Sequence, residues 1–432
     1  MMGKKGRYHE SEVLLSRALE SIPLGSQTFS KSKVQFPYGV SPFFIERGKG
    51  SHVWDVDGNE YVDFMNGLLS VSIGYADPEV THAVQSQIEN GVTFSLPHRL
   101  EIEVSEMLID MIPCAEMVRF GKNGSDATSA AIRLARAFTE REHVCVCGYH
   151  GWHDWYIGST SRNLGIPEST QKLTHVFKYN DISSLEEIFS ANQSDIAAVI
   201  IEPMNIEYPK DDFLKNVKEL AHDNGALLIF DEMITGCRFA KGGGQELFNV
   251  IPDLATFGKG IGNGFPLSAV VGRRDVMQLM EDIFYSGTFA GETASLAAVK
   301  VVLGKIKQEP VVERLAEQGQ KVIDGVTRLI EKYDLGHAFS VSGHPAWSFL
   351  LMKDVGEISM WEIKTLFFQE MFSRGVITIG THNMSYSHMD EDVTFLLNVY
   401  DEVFPIIGEA IRANSIQDVL RAEPLKPLFK VR

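Results

Sequence analysis

Apolar and polar positions follow two rhythms along this chain. In GSHVWDVDGNEYVDF, residues 50–64, they alternate with a period of two around Asp57-Gly58. That pattern predicts two antiparallel strands joined by a tight turn. In PEVTHAVQSQIENG (78–91) and LEIEVSEMLIDMIP (100–113) the apolar positions recur at helical spacing, and each run stops at Gly or Pro. Residues 1–35 read as helical at first and irregular afterwards.

Strands and helices then take turns. MVRFGKNG predicts a strand that runs into an amphipathic helix, SDATSAAIRLARAFTERE. HVCVCGY, IAAVIIEP, ALLIFDE, DLATFGKG and LSAVVGRRD are apolar runs too short for core helices, and DDFLKNVKELAHDNG between them is a helix with a glycine stop. Unbroken apolar strands separated by helices imply an α/β fold with a mostly parallel sheet covered on both faces. Ligands bind such sheets at the carboxyl ends of the strands. Ser125, Tyr149, Glu202, Asp231 and Lys259 all fall at those ends. From about residue 310 a long amphipathic helix and short strands (FSVSG, WSFLLMKD, VITIG) suggest a smaller α+β domain. The expected division is 1–65 (N-terminal segment and hairpin, part of the small domain), 66–310 (large domain) and 311–432 (C-terminal part of the small domain).

Composition narrows the classes of function. Apolar residues make up 44% and charged residues 22%, as in ordinary globular proteins. The net charge of −17, with no basic patch, argues against a nucleic-acid partner. No apolar run is long enough to span a membrane, and MMGKKGRYHESEVLL lacks the apolar core of a signal peptide, so a cytoplasmic protein is expected. The four cysteines (Cys114, Cys145, Cys147, Cys237) show no disulfide framework and read as buried thiols.

Candidate chemistry sits at the strand ends. In FGKGIGNGFPLSAVVG, Lys259 stands among glycines. Taken alone it fits either a wet loop or a lysine whose neutral amine forms a Schiff base, with glycines clearing space for a flat group. Asp231 ends a strand with five apolar residues in a row. It is either a capping residue or a buried carboxylate awaiting a cationic partner, such as a protonated pyridine. Gly124 and Ser125 open a helix and make either a plain N-cap or an anion seat. Tyr149, just past a strand, could stack on a flat cofactor. His150 and His153 have H-x-x-H spacing but no companion ligands, so no metal site is expected. Gly-Gly-Gly at 242–244 reads as a loop. YIGSTSRNLGIPESTQK, within the entrance segment 155–175, has the look of a mobile lid or of any surface loop.

Together, VRFGKNGSDATSAAIRLAR, GYHGWHD, VIIEPM, ALLIFDEMITGCRFAKGGGQELFNVIPDLATFGKGIGNGFPLSAVVGRRDVM and YSGTFAGETASLAA resemble the class III pyridoxal-phosphate aminotransferases of fold type I. The nearest branch is that of the glutamate-1-semialdehyde 2,1-aminomutases, and the resemblance covers nearly the whole chain. It implies that Lys259 holds pyridoxal 5'-phosphate as an internal aldimine and shuttles a proton, and that Asp231 keeps the pyridine nitrogen protonated. It implies that Gly124 and Ser125 bind the phosphate, that Tyr149 and Met233 cover the two ring faces, and that Glu202 supports the cofactor. Met233 stands where the family usually has a smaller β-branched residue. Thr288 in SGTFAG resembles the threonine that reaches the neighbouring subunit's phosphate, which implies a homodimer.

The departures concern the substrate. The aminomutases carry an N-terminal arginine for the substrate carboxylate; here IPLGSQTFSKSK offers Lys31 at best. Their tryptophan segment has become MNGLLSVSIGY, and their pocket glutamate falls at or near Gly380. His150, His382, Asn383 and Arg238 are the remaining candidates for substrate contact, Arg238 serving equally as a structural arginine. Losing a carboxylate clamp argues against glutamate semialdehyde. Neutral hydrogen-bonding groups favour a small or sugar-derived aldehyde or ketone, aminated from an amino-acid donor. The alternative is an aminomutase.

Overall fold

The structure is a computed structural model, and it describes residues 6–192 and 194–427. Residues 1–5, which open the stretch weighed above as a signal peptide, lie outside the described residues. The chain divides into two compact units. One takes the described part of Met1–Leu68, Ile73–Asp77 and the described part of Glu313–Leu428; the other takes Leu69–Ser72 and Pro78–Val312.

The second unit is built on a seven-stranded sheet. Across it lie Met117–Gly121, Ser268–Gly272, Leu254–Phe257, Leu227–Asp231, Ile196–Ile201, His143–Cys147 and Thr174–Val176. Five of these strands run parallel in one block, while Ser268–Gly272 runs antiparallel to both its neighbours. The predicted sheet is therefore present, with one reversed strand next to its edge strand. Ile196–Ile201, Leu227–Asp231 and Leu254–Phe257 are buried along their whole lengths. That is why they read as apolar runs and not as alternating patterns. The helix Gly124–Thr139 lays Ala127, Ala130, Ala131, Leu134 and Ala135 against the sheet. Small side chains on that face let the helix axis approach the strands closely. Cys145 and Cys147 are buried in their strand, and burial pushes both thiols up to about 12.

The first unit carries two smaller sheets. The predicted hairpin forms from His52–Asp55 and Glu60–Asp63, with Ile45–Lys49 beside it and Val376–Ile377 added in parallel. Phe339–His344, Trp347–Met352 and Thr381–Asn383 make the other sheet. The turn residue Asp57 also accepts the amides of Glu10 and Ser11 at 2.7 and 3.0 Å, and so caps the helix His9–Ser21. Among the described residues no helix is long and apolar enough to cross a membrane.

The glycine run 242–244 is a loop at Gly242 and Gly243, as read, and its last member opens a short helix, Gly244–Leu247. Its first amides, on Gly244 and Gln245, donate to the buried Glu232 carboxylate at 2.7 and 2.9 Å. The cue was Glu232, a second carboxylate right after Asp231, but its partners lie twelve and thirteen residues downstream and leave no local pattern.

Asp253 joins three parts of the sheet's rim. It is 3% exposed and accepts from the Leu228 amide at 2.8 Å and from Arg273 Nη1 at 2.6 Å, with His222 Nε2 at 2.8 Å. Asp253→Ala leaves the buried Leu228 amide without its acceptor. It is expected to cost about 2 kcal/mol in chemical denaturation, read as a lower unfolding midpoint at unchanged slope.

Candidate functional site

The second unit brings the strand-end residues together. Asp231 is the last residue of its strand and is 3% exposed. Its Oδ2 lies 2.8 Å from His150 Nδ1, and its Oδ1 accepts from the Met233 amide and from Thr256 Oγ1, each at 3.2 Å. An ionised carboxylate is acceptor-only, so three donors around a buried one stabilise its charge and fix its plane. His150 is itself 1% exposed, and its Nε2 is buried without a hydrogen-bond partner. Sequence reading offered His150 as a substrate contact; its ring stands against Asp231. His153 goes elsewhere, with Nδ1 2.7 Å from Ser129 Oγ.

At the start of the helix Gly124–Thr139, Asn123 caps the Asp126 amide while the Asp126 carboxylate takes the amides of Lys122 and Asn123 at 2.9 Å. The amides of Gly124 and Ser125 belong to the first turn of this helix, where the dipole favours an anion. Ser125 Oγ accepts the Trp152 amide at 3.1 Å, so its own proton remains to be donated. The backbone of Gly151, at φ +102°, passes so close that an added Cβ would lie 2.3 Å from Ser125 Oγ. Both the conformation and the contact require glycine there.

Glu202, directly after its strand, is 6% exposed. Its Oε2 accepts the Tyr149 amide at 3.1 Å and Asn205 Nδ2 at 2.7 Å. The half-buried Tyr149 ring meets Tyr156 edge-on at 5.7 Å. A cavity of about 550 Å³ opens beside these groups, lined among others by Gly148, Tyr156, Glu202 and Asn205.

Lys259 lies two residues past its strand and is partly exposed. The chain leaves the sheet there: Lys259 has φ +46° and opens a single 3-10 turn, Lys259–Gly262. The space at its neighbouring glycine serves the protein's own packing. A Cβ on Gly258 would come within 2.7 Å of Met233 Sδ, and the same sulfur lies 3.1 Å from the corresponding point at Gly124. Met233 therefore sits between the helix start and the lysine turn.

The other predicted residues are divided between the two units. Arg238 is 2% exposed and donates from Nη2 to the Leu69 carbonyl at 3.3 Å; burial pushes its guanidinium down to about 10. Thr288 is exposed and lines a separate cavity of about 540 Å³ with Phe94, Arg119 and Tyr285. Lys31, His382 and Asn383 belong to the first unit. Lys31 is exposed. His382 is fully buried between Ser348 Oγ at 2.9 Å and Tyr400 OH at 2.8 Å, and Asn383 donates to the Met65 carbonyl at 2.8 Å. The stretch 155–175 includes the short helix Glu168–Gln171, tied by Gln171 to Asn163 and Ile166. Thr256 and Asn205 were missed by sequence reading. Thr256 sits in the apolar run before Lys259, and a hydroxyl inside a fully buried strand was the available signal.

In chemical terms the second unit presents a helix start at Gly124, a buried carboxylate at the strand ends and an amine on a turned-out loop. This set suits an organophosphate with a basic aromatic ring and a carbonyl.

The comparisons with known proteins agree. The family described as aminotransferase class-III matches residues 35–393. The 3-aminobutyryl-CoA aminotransferase of Cloacimonas acidaminovorans is 34% identical, over 93% of this chain and 98% of that relative. A glutamate-1-semialdehyde 2,1-aminomutase of Persephonella marina is 35% identical, over 85% and 92% respectively. Among solved structures, the FumI protein of Sphingopyxis sp. MTA144, in its PLP internal aldimine form, superposes with a TM-score of 0.87 at 28% identity, over 96% of this chain and 98% of that one.

His382 makes the first unit sensitive to acid. Burial pushes its pKa down to about 4 from the ordinary 6.5. The unfolded chain therefore takes up a proton that the folded chain refuses. Stability is full above about pH 6.5 and falls as the pH drops toward 4, by up to about 3 kcal/mol. A melting series across that window is expected to show this fall, with a shallower slope for His382→Asn.

Proposed function

The chain belongs to the aminotransferase class-III family, whose members are pyridoxal-phosphate enzymes, and on that footing we propose that it transfers an amino group from an amino-acid donor to a small or sugar-derived aldehyde or ketone. The observation that carries the catalytic half is the Asp231 carboxylate. It is buried, held by His150, Met233 and Thr256, and stands on the strand next to the one that leads to Lys259. Bound pyridoxal phosphate supplies an electron sink for the carbanion left when a substrate proton departs.

Each of the chain's own residues then has a task. Asp231 holds a proton on the ring nitrogen by charge. The amides of Gly124 and Ser125, with the Ser125 hydroxyl, bind the phosphate. Tyr149 and Met233 confine the ring, and Glu202 fixes the Tyr149 backbone and Asn205 beside it. Lys259 would hold the cofactor through its Nζ, and the same amine would be the group that moves a proton to and from the substrate carbon. The substrate half rests on what stands at the family's carboxylate-binding positions. By resemblance the family's arginine position holds Lys31 at best, which is exposed, and its glutamate position falls at or near Gly380. Such a chain has little to offer a second carboxylate and suits a neutral, hydroxyl-bearing acceptor.

The working unit is proposed to be a homodimer in which Thr288 reaches the partner's phosphate. The surroundings of Thr288 support this: Phe94, Leu96, Phe284 and Phe289 are 46%, 78%, 81% and 58% exposed, an apolar surface that a second copy would cover. A second reading is an aminomutase, favoured by the similarity to the Persephonella marina protein.

The purified protein is expected to be yellow, to bleach with borohydride, and to carry the reduced label on Lys259. Lys259→Ala should retain pyridoxal phosphate noncovalently and lose turnover by several orders of magnitude; near-normal turnover would refute the role of the lysine. A screen of donors and acceptors, followed through the visible band, separates the two readings. The transaminase needs a separate amino donor for every turnover, whereas isomerisation of a single amino-aldehyde without a donor would establish the aminomutase.

A further inference from the structure

The segment 66–72 contains an unusual backbone. Asn66, Gly67, Leu68 and Leu69 are consecutive left-handed residues, with φ of +47°, +55°, +62° and +68°. Such a run is disfavoured for residues with side chains and persists only where its surroundings hold it. Its end, Leu69–Ser72, belongs to the same unit as the lysine turn. Two hydrogen bonds tie this stretch down there. Arg238 Nη2 donates to the Leu69 carbonyl at 3.3 Å, and Ser72 Oγ donates to the Gly260 carbonyl at 2.6 Å. Ser72 is 2% exposed and Gly260 is half-buried, so the donor end of this bond is held inside the protein. The approach is close: a Cβ on Gly260 would lie 3.4 Å from Ser72 Cβ and 3.5 Å from the Leu69 carbonyl oxygen.

Gly260 immediately follows Lys259, whose own φ of +46° is costly for a residue with a long side chain. Relaxation of that residue to right-handed backbone would rotate its Cα–Cβ bond and redirect the amine. Such a rotation would also move the Gly260 carbonyl, and the Ser72 hydroxyl restrains that carbonyl. We propose that Ser72 is a positioning residue for Lys259: by holding the Gly260 carbonyl it keeps the lysine in its left-handed backbone and so sets the direction of its amine. Arg238 holds the Leu69 end of the same stretch. In this account the buried arginine is part of the brace and not a receptor for substrate.

The inference rests on the proposed role of Lys259 as cofactor anchor, and the experiment keeps the two apart. The full chain is stripped of cofactor and reloaded with pyridoxal phosphate. The rate of covalent attachment is read by borohydride trapping, and the pH midpoint of the visible band is read on the loaded protein. For Ser72→Ala, attachment is expected to slow by about tenfold, the size of one lost buried hydrogen bond, with a shifted midpoint and a melting temperature close to that of the unmodified protein. Ser72→Thr, which keeps the hydroxyl, should restore both readings. An unmodified protein that attaches no pyridoxal phosphate would remove the role of Lys259 itself. Normal attachment and an unshifted midpoint in Ser72→Ala, or equal impairment in Ser72→Thr, would overturn the role of Ser72 alone. Should Ser72→Ala not fold, Ser72→Cys takes its place: a weaker donor must attach more slowly than Ser72→Thr, and equal rates overturn the proposal.

Discussion

A negative charge held inside an apolar sheet is the constraint on which the site depends. Asp231 ends a strand that is buried from Leu227 onward, so water cannot solvate its carboxylate. The protein supplies three donors instead, and each comes from a different place: His150 beyond one strand, Thr256 within the neighbouring strand, and the Met233 amide on the turn that follows. A charge satisfied in this way cannot swing toward another partner. A carboxylate fixed in this way favours a cationic partner at one position, and the proposed phosphate site at Gly124 and Ser125 would set the opposite requirement at the helix start.

Around that charge the strand ends are fastened to one another. Glu202 ties the Tyr149 backbone to Asn205, and Ser125 ties its helix start to Trp152. Met233 packs between the helix start and the lysine turn. The lysine turn is in turn fastened by Ser72 through Gly260. Lys259 is partly exposed, unlike the buried Asp231 and Glu202. In the proposed reaction the fixed carboxylate and the partly exposed lysine would divide the work of binding and of proton movement.

Much of the fold was legible because buried parallel strands need continuous apolar runs, and helices between them need one apolar face. The strand-end rule then placed Ser125, Tyr149, Glu202, Asp231 and Lys259 without any knowledge of contacts. What it could not supply was partnership. His150 and His153 look alike in H-x-x-H, yet one meets Asp231 and the other Ser129. His382 and Asn383 look like free hydrogen-bonders in ITIGTHNMSYSH, yet His382 lies between Ser348 and Tyr400, and Asn383 is bound to the Met65 carbonyl. The glycines around Lys259 read as clearance for a flat ligand, and at Gly258 that clearance is filled by Met233.

The sequence by itself determined the class of chemistry: an α/β sheet with a lysine, an aspartate and a glycine-led helix start at its carboxyl ends, in the order of one family. Those features are local, because a strand end, a helix start and a glycine each announce themselves within a few residues. The tertiary structure alone decided which groups restrain which. The reach from Ser72 to Gly260 spans 188 residues and that from His150 to Asp231 spans 81. No periodicity or spacing records a bond of that kind, because it exists only after the sheet has brought the distant ends together.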